Sequence, residues 1–185
     1  MTPIEGVSLT PPVGERDHVQ GDVHAPATLV VYGDYECPYT RKSLLVVKQV
    51  RKQMEDRQRF VFRNFPLSEI HPHALRAAEA AEAAAAQGGD PFWALHTYLF
   101  AHQDALEEAN LRKYAVLLGH DLGRYDGDMA KHAHLARIDE DIGSGLASGV
   151  QGTPTLFING QRYLGSWELA VLLPALERSA GAGRS

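Results

Sequence analysis

The sequence predicts an α/β fold, with sheet at both ends of the chain and helices between. Near the start, the β-branched apolar run Thr28-Leu29-Val30-Val31-Tyr32, bounded by Pro26 and Gly33, reads as a buried strand. A long helical segment and a second run, Phe60-Val61-Phe62-Arg63-Asn64-Phe65, complete a strand–helix–strand order that suggests a parallel βαβ unit. Near the end, Asn159-Gly160 separates Thr155-Leu156-Phe157-Ile158 from Gln161-Arg162-Tyr163-Leu164. Asn-Gly tolerates the positive φ angles of a type I′ turn, so this is a strong hairpin signal.

In order along the chain, residues 1–24 are polar and proline-containing (Pro3, Pro11, Pro12) and read as an extended arm. After the first strand, the helix from Pro38 to about Asp56 is expected to bury Leu44, Leu45, Val47 and Val50 on one face. Pro66 stops the second strand. The alanine-dominated stretch His73 to Gln87 predicts a helix ended by Gly88-Gly89. Asp90-Pro91 supplies an N-cap and first-turn proline for a helix carrying Phe92, Leu95 and Leu99. Asn110 opens another with Leu111, Tyr114, Leu117 and Leu118, halted at Gly119. A single helix is expected from about Asp128 to Ala147, with Leu135, Ile138, Ile142 and Leu146 as its stripe. After the hairpin, Ser166 can cap a last helix with Leu169, Leu172, Leu173 and Leu176, which Pro174 should kink or shorten. Residues 181–185 read as a frayed tail.

With 185 residues, 44% hydrophobic and 22% charged, the chain has the makings of one soluble domain with a sizeable core, or of a small domain with an insertion. A formal net charge of −5 gives no basic footprint for nucleic acid or an anionic membrane surface. No apolar run approaches the roughly 18 residues of a membrane span. The start lacks the basic and apolar regions of a secretory leader, so a cytoplasmic location is the expectation from this sequence. The single cysteine, Cys37, excludes any disulfide within the chain.

Cys37 stands in Asp34-Tyr35-Glu36-Cys37-Pro38-Tyr39-Thr40, directly after the first strand. Proline is favoured at the first helical position, which makes Cys37 the N-cap. There its sulfur faces the unpaired N–H groups of Tyr39 and Thr40 and the positive end of the helix dipole. Both favour thiolate over thiol, and the thiolate is the reactive form. The Thr40 hydroxyl, one turn on, is a further donor to the same sulfur. Glu36 acts in the opposite sense if its carboxylate lies close. A small cysteine buried at a strand–helix junction satisfies the same spacing, and spacing does not decide between the two.

Several separated motifs carry a family likeness: Val30 to Tyr39, Phe62-Arg63-Asn64-Phe65-Pro66-Leu67, His71-Pro72-His73-Ala74, and Gly152-Thr153-Pro154-Thr155-Leu156-Phe157-Ile158-Asn159-Gly160. Together they resemble DsbA-family thioredoxin-fold proteins, and among these the domains fused to some NhaA-type sodium/proton antiporters. The likeness runs from about Arg16 to Glu177. It implies a thioredoxin-like fold, a central mixed sheet flanked by helices, with a helical insertion between the second and third core strands. On that plan residues 25–66 form the first half of the core, 67–150 the insertion and 151–180 the second half. The resemblance also implies that Pro154 is cis, faces the nucleophile Cys37, and that the Thr153 backbone pairs with substrate.

One departure bears on mechanism. Oxidoreductases of the family carry a second cysteine three residues after the first, where this chain has Thr40. Without it no mixed disulfide can be resolved internally. The activity expected is therefore monothiol exchange: Cys37 is catalytic, Pro38, Tyr39 and Thr40 stabilise its thiolate, and Thr153 and Pro154 bind substrate. The substrate would be a thiol or disulfide on a peptide or small molecule. No cofactor is expected beyond a low-molecular-weight thiol as co-substrate. A non-catalytic module binding a peptide or an antiporter-like membrane protein is the competing reading, and a redox sensor capped at Cys37 a third.

Nine histidines raise the question of metal. His132 and His134 are two apart, which on a helix puts them on different faces, and His71-Pro72-His73 fits a helix start, so no metal site is expected. Phe92, Trp93 and Phe100 read as core. Arg63 and Asn64 close the second strand as either site-flanking or solvated residues, and Asp139-Glu140-Asp141 reads as a solvated helix face.

Overall fold

Residues 4–88 and 90–182 are described in the computed structural model. They fall into two compact units. Met1–Gly33, Tyr39–Arg63 and Gly143–Ser185 make the first, Asp34–Pro38 and Asn64–Ile142 the second.

The first unit carries the sheet. Its strands are β1 (Ile4–Ser8), β2 (His18–Gln20), β3 (Ala27–Gly33), β4 (Gln58–Asn64), β5 (Thr155–Ile158) and β6 (Gln161–Tyr163), in the order β1-β6-β5-β3-β4-β2. Every residue of β3 is buried, as its unbroken apolar run requires. β3 pairs antiparallel with β5, Val30 opposite Phe157. β5 and β6 form the expected hairpin, with Asn159 at φ 47° and Gly160 at φ 78° in the left-handed conformation of a type I′ turn. Helix α1 (Pro38–Met54) and a short 3-10 turn connect β3 to its neighbour β4. Helix α7 (Leu169–Ala182) packs on β3.

The structure departs from the sequence expectations here in four ways. The N-terminal arm supplies both edge strands: β1 pairs antiparallel with β6 and β2 with β4. The buried face of α1 is Thr40, Ser43, Val47, Val50 and Met54, while Leu45 is exposed. Pro174 does not shorten α7, which runs on to Ala182. Residues 181 and 182 of the expected tail are therefore helical, and the remaining three lie outside the described residues, as does Gly89 of the expected Gly-Gly stop.

Arg63, near the end of β4, is wholly buried. Its Nε and Nη2 donate to the Asp17 carboxylate at 2.8 and 3.0 Å, and Nη1 donates to the Tyr32 hydroxyl at 2.9 Å and the Pro11 carbonyl at 3.1 Å. Asp17 also accepts from the Gly14 N–H at 2.9 Å. Burial alone would raise the Asp17 carboxyl, but the bonds from Arg63 and Gly14 outweigh it and hold the group below the usual range. Arg63 thus fastens the arm to the sheet, a role far from a solvated loop residue.

The second unit is helical: α2 (Ala74–Ala85), α3 (Pro91–Ala101), α4 (Glu108–Leu117), α5 (Leu122–Lys131) and most of α6 (Leu135–Ala147). α2 packs against α3, α4 and α5, and its alanines let three helices approach closely. Phe92, Trp93 and Phe100 are buried as expected. The single helix expected over 128–147 is instead two, because His132 takes the left-handed conformation (φ 50°) and ends α5. The α6 stripe also differs. Ile138 is fully buried, Leu146 is exposed, and Asp141 and Ser144 are buried. Leu117 of α4 is exposed as well.

Candidate functional site

The segment 34–37 leaves β3 at Gly33, where the chain has no room for a side chain. A Cβ there would stand 2.5 Å from the Phe62 ring and 2.7 Å from the Thr40 methyl, so glycine lets β3, β4 and α1 meet. Asp34 then turns the chain. Its Oδ1 accepts from the Glu36 N–H at 2.7 Å, an Asx turn, and the Cys37 N–H donates to the Asp34 carbonyl at 3.1 Å.

Within the second unit this segment is tied down at every residue. Asp34 Oδ2 accepts from the Leu67 N–H and meets His71 Nδ1, both at 2.8 Å. The Glu36 carboxylate accepts from the His73 N–H at 2.7 Å, the residue before α2. The Tyr35 hydroxyl pairs with His96 Nδ1 at 3.0 Å, and its ring centroid lies 4.8 Å from that of Phe100, the rings tilted by 34°. Gln103 Nε2, two residues beyond α3, donates to the carbonyls of both Tyr35 (2.7 Å) and Cys37 (3.0 Å). The His71-Pro72-His73 motif therefore serves the Cys37 segment through one ring and one backbone N–H.

Cys37 itself is buried, 4% exposed, a point that the spacing alone does not decide. Pro38 is the first residue of α1, as the Cys-Pro pair predicts. Tyr39 is exposed, with Lys42 Nζ 5.6 Å from its ring centroid, and Thr40 is fully buried, its backbone carbonyl accepting from Ser43 Oγ. In the first unit, the Thr153–Pro154 peptide bond is cis, directly before β5, and both residues are partly exposed.

A set of buried polar groups, missed in the sequence, lies in the second unit. Asp141, fully buried, accepts from the Asn64 N–H at 2.9 Å and pairs with Arg137 at 2.7 Å, while Asn64 Nδ2 donates to buried Glu82 at 2.7 Å. Burial pushes the Asp141 carboxyl up, against Arg137 and the Asn64 N–H, and the Glu82 charge adds to the rise. The Tyr35 hydroxyl is pushed well up by burial and by the charges of Glu82 and Asp141. Asp141 is the member of the acidic run 139–141 that is not solvated.

Among the described residues no three His, Cys, Asp or Glu side chains converge as a metal site. Instead His132 meets Glu79 at 2.8 Å and His134 meets Asp128 at 3.0 Å. No helix among the described residues is long and apolar enough to cross a membrane.

A family profile described as Thioredoxin matches residues 14–178. The Na(+)/H(+) antiporter NhaA 1 of Mycolicibacterium gilvum (strain PYR-GCK) is 43% identical over 179 residues, which are 95% of this chain and 29% of the relative. The chain thus spans less than a third of the length of that curated relative. Among solved structures, oxidised BdbD from Bacillus subtilis superposes with a TM-score of 0.80 at 22% identity, covering 90% of this chain and 94% of its own. A thioredoxin-like oxidoreductase from Silicibacter pomeroyi DSS-3 does so with 0.79 at 26% identity, covering 91% and 94%. Proteins named DsbA share the fold as well.

Proposed function

The chain belongs to the thioredoxin family, and from that premise we propose that it exchanges thiols and disulfides through Cys37 alone. The observation that supports this best is the 34–37 segment: the sole cysteine directly precedes Pro38 of α1, on a turn that hydrogen bonds tether at Asp34, Tyr35, Glu36 and Cys37. In general, unpaired N–H groups at a helix N-terminus favour a thiolate placed among them.

In the proposed reaction the Cys37 thiolate attacks one sulfur of a disulfide RSSR. The S–S bond breaks, Cys37–S–S–R forms and RS⁻ leaves. An external thiolate then attacks the R sulfur, restoring the Cys37 thiolate and releasing a new disulfide. Thr40 at the position of a resolving cysteine makes this external thiol obligatory. Thr153, before the cis bond, is the residue proposed to pair its backbone with a peptide substrate, with Tyr39 exposed on the first turn of α1.

The test is incubation of the native chain with glutathione disulfide at neutral pH, followed by intact mass. One glutathionyl adduct per chain, removed by reduced glutathione and absent in Cys37→Ser, is the expected result. A chain that acquires the adduct only after unfolding overturns the proposal.

Burial of Cys37 favours a second reading, a module that binds without exchanging. Its proposed partner is the membrane part of a sodium/proton antiporter, since the relative at 43% identity is named as one. In that case Cys37→Ser binds such a partner as tightly as the native chain.

A further inference from the structure

We propose that Gln103 is a positioning residue for the Cys37 thiol, setting its acidity by clamping the backbone on both sides of Glu36. The inference rests on the thiol-exchange reading above and names a group that sets how well the site works. A single nitrogen, Gln103 Nε2, donates one hydrogen to the Tyr35 carbonyl at 2.7 Å and the other to the Cys37 carbonyl at 3.0 Å. The primary amide nitrogen carries two hydrogens, so this one atom serves both carbonyls. The clamp reaches the very residue that bears the sulfur, whereas Asp34 and Glu36 hold the segment through their own side chains.

Its consequence is electrostatic as well as geometric. The partial charge that favours a thiolate at a helix N-terminus falls off within the first turn, so a small rotation of the Cys37 backbone moves the sulfur out of it. Two donors on flanking carbonyls fix that backbone. A glutamate at 103 would instead oppose two carbonyl oxygens with a third acceptor and force the turn apart.

The experiment is the pH–rate profile of Cys37 alkylation by iodoacetamide, on the full chain, for the native protein and for Gln103→Leu, Gln103→Glu and Gln103→Lys. The profile's midpoint reports thiolate stability separately from access, which scales the plateau. Gln87→Leu is the control, since Gln87 also makes two hydrogen bonds, to the Asp121 carbonyl at 3.1 Å and from the Asp121 N–H at 2.8 Å, in the same unit. In Gln103→Leu the midpoint is expected to rise by about one pH unit, about tenfold less thiolate below it. In Gln103→Glu it rises further, and in Gln103→Lys, whose ammonium can reach both carbonyls, it returns to the native value or lower. Gln87→Leu keeps the native midpoint.

A native-like midpoint in Gln103→Leu overturns the inference, as does an equal rise in Gln87→Leu. Should the Leu and Glu variants fail to fold, a raised midpoint in Gln103→Lys overturns it too. A native chain whose cysteine is alkylated only on unfolding overturns the thiol-exchange reading itself, before Gln103 comes into question.

Discussion

Replacing Arg63 by methionine removes one partner of an ion pair whose side chains are both fully buried, while the Gly14 N–H bond to the Asp17 carboxylate stays in place. Breaking a buried pair from one side costs about 3–5 kcal/mol, because the remaining charge keeps its desolvation penalty without its counter-charge. In a domain of this size each kcal/mol lowers the melting temperature by about 2–4 °C, so a fall of roughly 6–20 °C is expected. Arg63→Met also releases the Pro11 and Tyr32 contacts, so hydrogen exchange should quicken at β2, which follows Asp17. The sign with pH follows from the lowered Asp17 carboxyl. Its contribution is complete above the unfolded value near 3.8 and is lost as pH falls through the lower folded value. The assay is thermal and urea denaturation of native, Arg63→Met, Asp17→Asn and double variants from pH 2.5 to 7. The double variant should recover part of the loss, and the native advantage should shrink at the acid end. A single-variant loss below about 1 kcal/mol, the range of a surface pair, would refute the reasoning.

Gly33→Ala should cost about 1–3 kcal/mol through overpacking, since its Cβ meets the Phe62 ring and the Thr40 methyl; adding Thr40→Ser should return part of it in urea titrations. The Asp141 carboxyl is raised on folding, so its ionisation works against the fold. Native stability should therefore fall, relative to Asp141→Asn, as pH climbs above about 4, and melting curves across pH 4–7 should converge at the acid end. Thr40→Cys places a second thiol three residues after Cys37, and air oxidation should then reduce the thiol titre from two per chain to none, with multiple turnovers of a disulfide substrate replacing single adduct formation.

What the sequence disclosed was what local pattern controls. The buried run of β3, the Asn159-Gly160 turn and the Pro38 start of α1 each depend on residues adjacent in the chain, and each stands where expected. Features settled by distant partners were hidden. Asp141 is indistinguishable from Asp139 and Glu140 until Asn64 and Arg137 are brought to it. Gln103 lies 66 residues from Cys37, and no spacing rule links them. The break at His132 escaped because a histidine in the left-handed conformation leaves no glycine or proline as a marker. β2, three residues long, carries no pattern at all; it exists because β4 offers it a free edge.

That both outer strands come from one short stretch has a practical outcome. Deleting the residues up to Gln20 would bare the flanks of β6 and β4 in a single cut, since each has its outer neighbour there. Two rows of unpaired peptide groups are ready templates for intermolecular strand addition. A trimmed version, however well it keeps Cys37, should therefore clump in solution, and preparations meant for study need their opening twenty residues intact.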